Sequence, residues 1–113
     1  MPDPLFAEIW EGDLDPTPGH VQAGYRPVLV ISDDLFNSGG ASLVIVLPLT
    51  TNDRRVYHHY QVDPPEGGLR RRSYIMCEGV RSVAKERLSA RVGKVSNVTM
   101  EEVAYRLRRL MCL

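Results

Sequence analysis

GYRPVLVIS, residues 24–32, decides how this chain is read, because Arg26 and Pro27 stand directly before the unbroken apolar run Val28–Ile31. A short run of β-branched and apolar residues without alternation reads as a strand covered on both faces. A charged side chain is rarely buried without a partner. Arg26 therefore either pairs with a carboxylate of the acidic N-terminal part or is held facing a site. Pro27 costs no ladder bond at the first position of a strand.

Outward from this stretch, other short segments rich in Val, Ile and Tyr are bounded by Pro, Gly, Asn or Asp. They are LFAEIWEGDL (5–14), LVIVLPLT (43–50), VYHHYQV (56–62), SYIMCEGV (73–80) and ARVGKV (90–95). With RPVLVIS (26–32) they make six predicted strands with no helical crossovers, which implies a closed or nearly closed antiparallel barrel. SDDLFN (32–37) reads as one helical turn capped by Ser32, and DPPEGG (63–68) as a plain turn. After Ser96, Met100, Val103, Leu107 and Leu110 recur at helical spacing and predict a C-terminal helix of roughly 14 residues. Arg106, Arg108 and Arg109 fall in its last turns, where cations complement the helix dipole. The fold class is mainly β with a C-terminal helix, and 113 residues with 43% hydrophobic content suit a single domain, 1–113.

Composition narrows the function classes. Cys77 and Cys112 make no zinc spacing and no disulfide framework, so no metal and no cofactor is expected. No run is apolar enough to cross a membrane and the first ten residues lack a signal-peptide pattern, so a cytoplasmic location is expected. The net charge is zero but polarised. Residues 1–34 hold seven acids against Arg26, a balance of −6, whereas residues 54–113 hold thirteen Lys and Arg against six acids, a balance of +7. Such a chain can attract a polyanion at one end.

Four stretches in order carry a family resemblance. AEIWEGDLDPTPGHVQAGYRPVLVIS (7–32), LVIVLPLTT (43–51), CEGVRSVAKERL (77–88) and GKVSNVTMEEVAYRLRRLMCL (93–113) resemble the MazF/PemK toxin endoribonucleases of type II toxin–antitoxin modules. The resemblance implies an SH3-like barrel of the CcdB/MazF type that forms a homodimer. It implies metal-independent cleavage of single-stranded RNA and inhibition by a cognate antitoxin protein, with no membrane involved. Metal-free cleavage by 2′-OH attack needs a base, a donor for the leaving oxygen and positive charge on the phosphorane. Arg26 matches the family's catalytic arginine, and a guanidinium fits the charge role because its fork holds two phosphate oxygens. Thr50 matches the threonine whose hydroxyl bonds a phosphate oxygen.

Two groups are chemically able to serve as base, Glu78 and His20. The PemK-type Arg-Cys-Asp triplet reads Met76-Cys77-Glu78 here, and Val21 stands where MazF-type members carry Glu. Against these roles, Glu78 would pair with Arg81 and His20 would be a loop surface residue. Gln22, Gly24, Tyr25, Thr51 and Arg81 are the expected RNA-binding positions, and Tyr57 and Tyr60 join Tyr25 as residues able to stack on unpaired bases. Arg70–Arg72 form a basic loop tip. Two other readings compete: a CcdB-like toxin that binds DNA gyrase without catalysis, and a degenerate copy that only binds antitoxin.

Overall fold

The computed structural model describes residues 2–14 and 25–113. Seven strands appear among them: β1 (Glu8–Asp13), β2 (Tyr25–Val30), β3 (Leu43–Thr50), β4 (His59–Val62), β5 (Ser73–Met76), β6 (Arg81–Ala84) and β7 (Leu88–Lys94). Two helices accompany them, α1 (Asp34–Asn37) and α2 (Asn97–Met111). All pairings are antiparallel, in the order β4-β5-β3-β2-β1-β7, with β6 also on β3. The two ends of this path, β4 and β7, are not bonded to each other, so the sheet is curled but not closed.

The apolar run of GYRPVLVIS has its explanation in two cores. Leu29 and Leu47 point into one, with Ile9, Leu49, Ile75, Cys77, Met100 and Val103. Val28, Val30, Val44 and Val46 point into the other, against Trp10, Val83 and Leu88. Successive side chains of β2 and β3 thus alternate between two buried environments. A strand covered on both faces has no position left for a polar residue. The α2 helix, which the helical spacing predicts, covers the first core through Met100 and Val103, and Ser96 caps it by accepting from the Thr99 amide.

Several expectations change in detail. The described residues hold seven strands rather than six: the 3₁₀ turn Cys77–Gly79 ends the strand of SYIMCEGV at Met76, and RSVA (81–84), where no strand was expected, pairs with β3 as β6. The cap of α1 is Asp33, which accepts from the Leu35 amide. Ser32 instead is buried, bonded to Asn37 and to the Ile45 amide. β2 begins at Tyr25, so Pro27 is its third residue rather than its first. It costs little there because β2 still pairs β1 through Glu11–Pro27 but has already parted from β3, whose pairing starts at Val28–Pro48.

The segment DPPEGG is more than a plain turn. It carries a cis Pro64–Pro65 bond and a 3₁₀ turn, Glu66–Gly68. Gly67 and Gly68 have φ of +70° and +74°, which only glycine adopts cheaply. A Cβ on Gly68 would stand 2.2 Å from the Val92 carbonyl oxygen, and one on Gly93 would stand 2.4 Å from the Gly67 carbonyl. The loop therefore lies backbone to backbone on β7. Glu66 fixes its other side by accepting from the Ser96 amide and from the hydroxyls of Ser96 and Thr99 at the start of α2.

Candidate functional site

The central strands carry two of the expected residues toward the same end of the sheet. β2 and β3 pair from Val30–Val46 to Val28–Pro48, and beyond that last pair Arg26 and Thr50 each lie two residues further along their own strands. On its other edge Thr50 pairs with Tyr74 of β5, and Arg26 pairs with Gly12 of β1. Arg26 and Thr50 thus sit at one end of the sheet on rigid strands. The Thr50 hydroxyl accepts from the Asn52 amide at 3.2 Å, which orients its oxygen. No carboxylate among the described residues forms an ion pair with Arg26.

Next to this pair lies an open cleft of about 530 Å³. Glu11, Pro27, Thr51, Arg70, Arg71 and Arg91 line it, together with Gly68, Leu69, Ser73 and Val92. Thr51, one of the expected RNA-binding positions, borders this cleft. Tyr25, 65% exposed, stands beside Arg26 and is open to a base. His20, Gln22 and Gly24 lie outside the described residues.

Glu78 belongs to a different group. Its Oε2 is 2.7 Å from Nε2 of His59, not on Arg81. Burial tends to raise the Glu78 pKa, but the His59 hydrogen bond, an amide bond and the charges of both neighbouring histidines outweigh it and hold the carboxyl below its ordinary value. His59 pairs with Met76 across β4 and β5, so it occupies the space beside the triplet position that has lost its arginine. A histidine 19 residues away was not among the predicted site residues. His58 and His59 also each keep a buried Nδ1 with no partner among the described residues.

Other candidates move away from the site. Arg81 pairs with Val46, four residues before Thr50 on β3, or about 13 Å at strand rise. Cys77 is fully buried in the first core, and burial pushes its thiol up to about 11, so it serves packing rather than chemistry. Tyr57 and Tyr60 hold the Arg106 guanidinium of α2, 5.0 Å from each ring centroid, which makes them a helix clamp rather than base platforms. Gly79 packs where a Cβ would meet the Pro48 ring at 2.8 Å.

Residues 6–111 match the PemK-like, MazF-like toxin of type II toxin–antitoxin systems. The chain belongs to this toxin family. Among relatives, it is 34% identical to endoribonuclease MazF9 of Mycobacterium tuberculosis over 102 residues, covering 85% of this chain and 86% of that protein. It is 35% identical to endoribonuclease PemK of Escherichia coli, covering 92% of this chain and 79% of that one. Its fold also matches MazF from Deinococcus radiodurans as solved in a MazE–MazF structure, with a TM-score of 0.86 at 21% identity and coverage of 100% and 99%. In the MazF/PemK frame the present chain is an open, barrel-like sheet with α2 on one face, as its sequence implied.

Proposed function

We propose that this protein is the toxin of a type II toxin–antitoxin module, an endoribonuclease that cleaves single-stranded RNA by 2′-OH attack without a metal ion. The observation that carries this reading is the placement of Arg26 and Thr50 toward one end of the sheet, where their chain neighbours Pro27 and Thr51 border a cleft lined by arginines. Membership of the MazF/PemK family and the endoribonuclease relatives support it.

In this reading the Arg26 fork holds two oxygens of the scissile phosphate and stabilises the charge that builds on the phosphorane. The Thr50 hydroxyl, turned by the Asn52 amide, fixes a third contact. Glu78, oriented by His59, and His20 are the two groups able to take the 2′-OH proton. The toxin acts as a homodimer in the cytoplasm and is silenced by a cognate antitoxin whose acidic, apolar segment folds onto it.

The test is incubation of the purified protein with mixed-sequence single-stranded RNA in excess EDTA, beside an all-deoxy copy and an Arg26→Ala variant. Cleavage of RNA alone, lost in the variant, is the expected result. Intact RNA with the wild type would overturn the catalytic reading and favour a toxin that binds a protein target.

A further inference from the structure

We propose that Arg70 and Arg71, with the outward side of Arg91, form a second phosphate site that grips the RNA backbone beyond the cleaved linkage; this rests on the RNA-cleaving reading above. The three arginines of the loop tip are not equivalent. Arg72 is tied to Asp63, Nε to Oδ1 at 2.7 Å, and does not line the cleft. Arg70 and Arg71 do line it, and neither has a carboxylate partner among the described residues.

Arg91 is held differently. Its Nε donates to Oε2 of the buried Glu8 at 2.6 Å, which leaves its terminal nitrogens to the cleft while its side chain stays half exposed. Glu8 offsets that charge, and among the described residues Glu11 is the one carboxylate in the lining. Arg70 and Arg71 together exceed Glu11, so the described lining carries a net positive charge.

Placement fits a strand of RNA already held by Arg26 and Thr50. Pro27 and Thr51, their immediate neighbours in the chain, line the cleft, so an RNA backbone bound at Arg26 and Thr50 has the cleft one residue away. The arginines are also preorganised, because their loop is locked to β7 through Gly67, Gly68 and Gly93 and to α2 through Glu66. A guanidinium on a fixed backbone loses less freedom when it binds a phosphate. Three arginines face three apolar side chains, Pro27, Leu69 and Val92, in the described lining, a composition that favours a phosphate chain over a protein segment that relies on large buried anchors.

The experiment measures binding and cutting separately. A 2′-O-methyl single-stranded oligonucleotide, which cannot be cut, is titrated against the full chain, its Arg70→Ala/Arg71→Ala variant and its Arg72→Ala variant across a salt series, and cleavage of the matching RNA is measured in parallel. Circular dichroism and urea unfolding check that the variants fold. The double variant is expected to bind about tenfold more weakly, with the slope of log K against log salt smaller by about 1.4 for two lost phosphate contacts, and to cut with raised KM and little change in kcat. Arg72→Ala is expected to match the wild type. Wild-type affinity and salt slope in the double variant would overturn the proposal, whether or not RNA is cut. Weakened binding by the double variant with a wild type that cuts nothing would keep this site and overturn the catalytic reading instead. Loss of binding to a Glu- and Leu-rich peptide, with oligonucleotide binding intact, would overturn it in favour of a protein partner.

Discussion

Nε2 of His59 stands 2.7 Å from Oε2 of Glu78, a contact between residues 19 positions apart that runs from β4 to the 3₁₀ turn following its neighbour β5. The imidazole is almost fully covered, 4% exposed, while the carboxylate is 46% exposed. One partner is fixed and the other reaches solvent. This is the arrangement that aims a carboxylate.

The pH dependence of cleavage separates the two bases. Glu78 is held below its ordinary value of 4.5, so with Glu78 as base the acid limb of kcat/KM lies below that pH and the rate is flat from about pH 6 to 8. With His20 as base the limb moves to about pH 6.5, where an ordinary imidazole titrates. Glu78→Gln and His59→Gln, measured over the same range, complete the assignment: in the first case both change the limb, and in the second neither does.

Arg26 and Thr50 are expected to differ in weight. Removing a charge-stabilising donor costs about 10²–10³ in kcat, so Arg26→Ala falls by at least that factor. Arg26→Lys keeps the charge and loses the fork, and recovers only part of it. Thr50→Ser is expected to stay close to wild type and Thr50→Val to fall, because the Asn52 amide orients the hydroxyl and not the methyl group. Single-turnover cleavage of one defined RNA reads all four variants.

How much of this was legible follows from what each element buries. β2 and β3 were plain in the sequence because both faces are covered, and α2 because Met100 and Val103 recur at helical spacing over one core. β6 was missed because it is four residues long, opens with exposed Arg81 and Ser82, and buries only Val83. Arg26 and Thr50 were found by motif, but that both reach the same end of the sheet depends on how β2 and β3 pair, which no local pattern states. The His59–Glu78 contact and the separate fates of Arg71 and Arg72 depend on which strands and loops become neighbours, so they emerged only with the fold.

Glu8 predicts an acid-side stability effect. It is buried and accepts from the Leu5 amide, the Trp10 indole and Arg91; burial alone would raise its pKa, but these bonds together lower it. It binds a proton more weakly in the folded chain than in the unfolded one. Its stabilisation is therefore complete above the unfolded value of about 4.3 and is lost as pH falls through the lower folded value. Glu8→Gln turns an amide donor toward Arg91 and is expected to cost about 1–3 kcal/mol at pH 7, and less at pH 3. Urea unfolding at the two pH values measures the difference.

The Arg106 clamp predicts a different signature. Its guanidinium lies between Tyr57 and Tyr60, donates to the Tyr57 carbonyl and pairs with Glu102 on the preceding helical turn. Arg106→Ala is expected to lose about 1–2 kcal/mol and to raise amide exchange in α2 ahead of the central strands. Arg106→Lys keeps the charge and recovers less than half, since the stacking plane is gone.

Gly68 and Gly40 make a paired test of the locked loop. At Gly68, φ is +74° and an added Cβ would meet the Val92 carbonyl oxygen at 2.2 Å, so backbone must move against backbone. At Gly40 nothing lies within 4 Å of the same atom. Gly68→Ala is therefore expected to cost about 2–4 kcal/mol, combining left-handed strain with a displaced loop, while Gly40→Ala stays within about 0.5 kcal/mol. The loss at Gly68 should reach the arginines as well, because Arg70 and Arg71 follow directly on the segment that lifts from β7. Urea midpoints give the energies and oligonucleotide titration gives the coupling. A destabilised Gly68→Ala that still bound RNA with the wild-type salt slope would mean that the loop needs no fixed seat on β7 to present its charge.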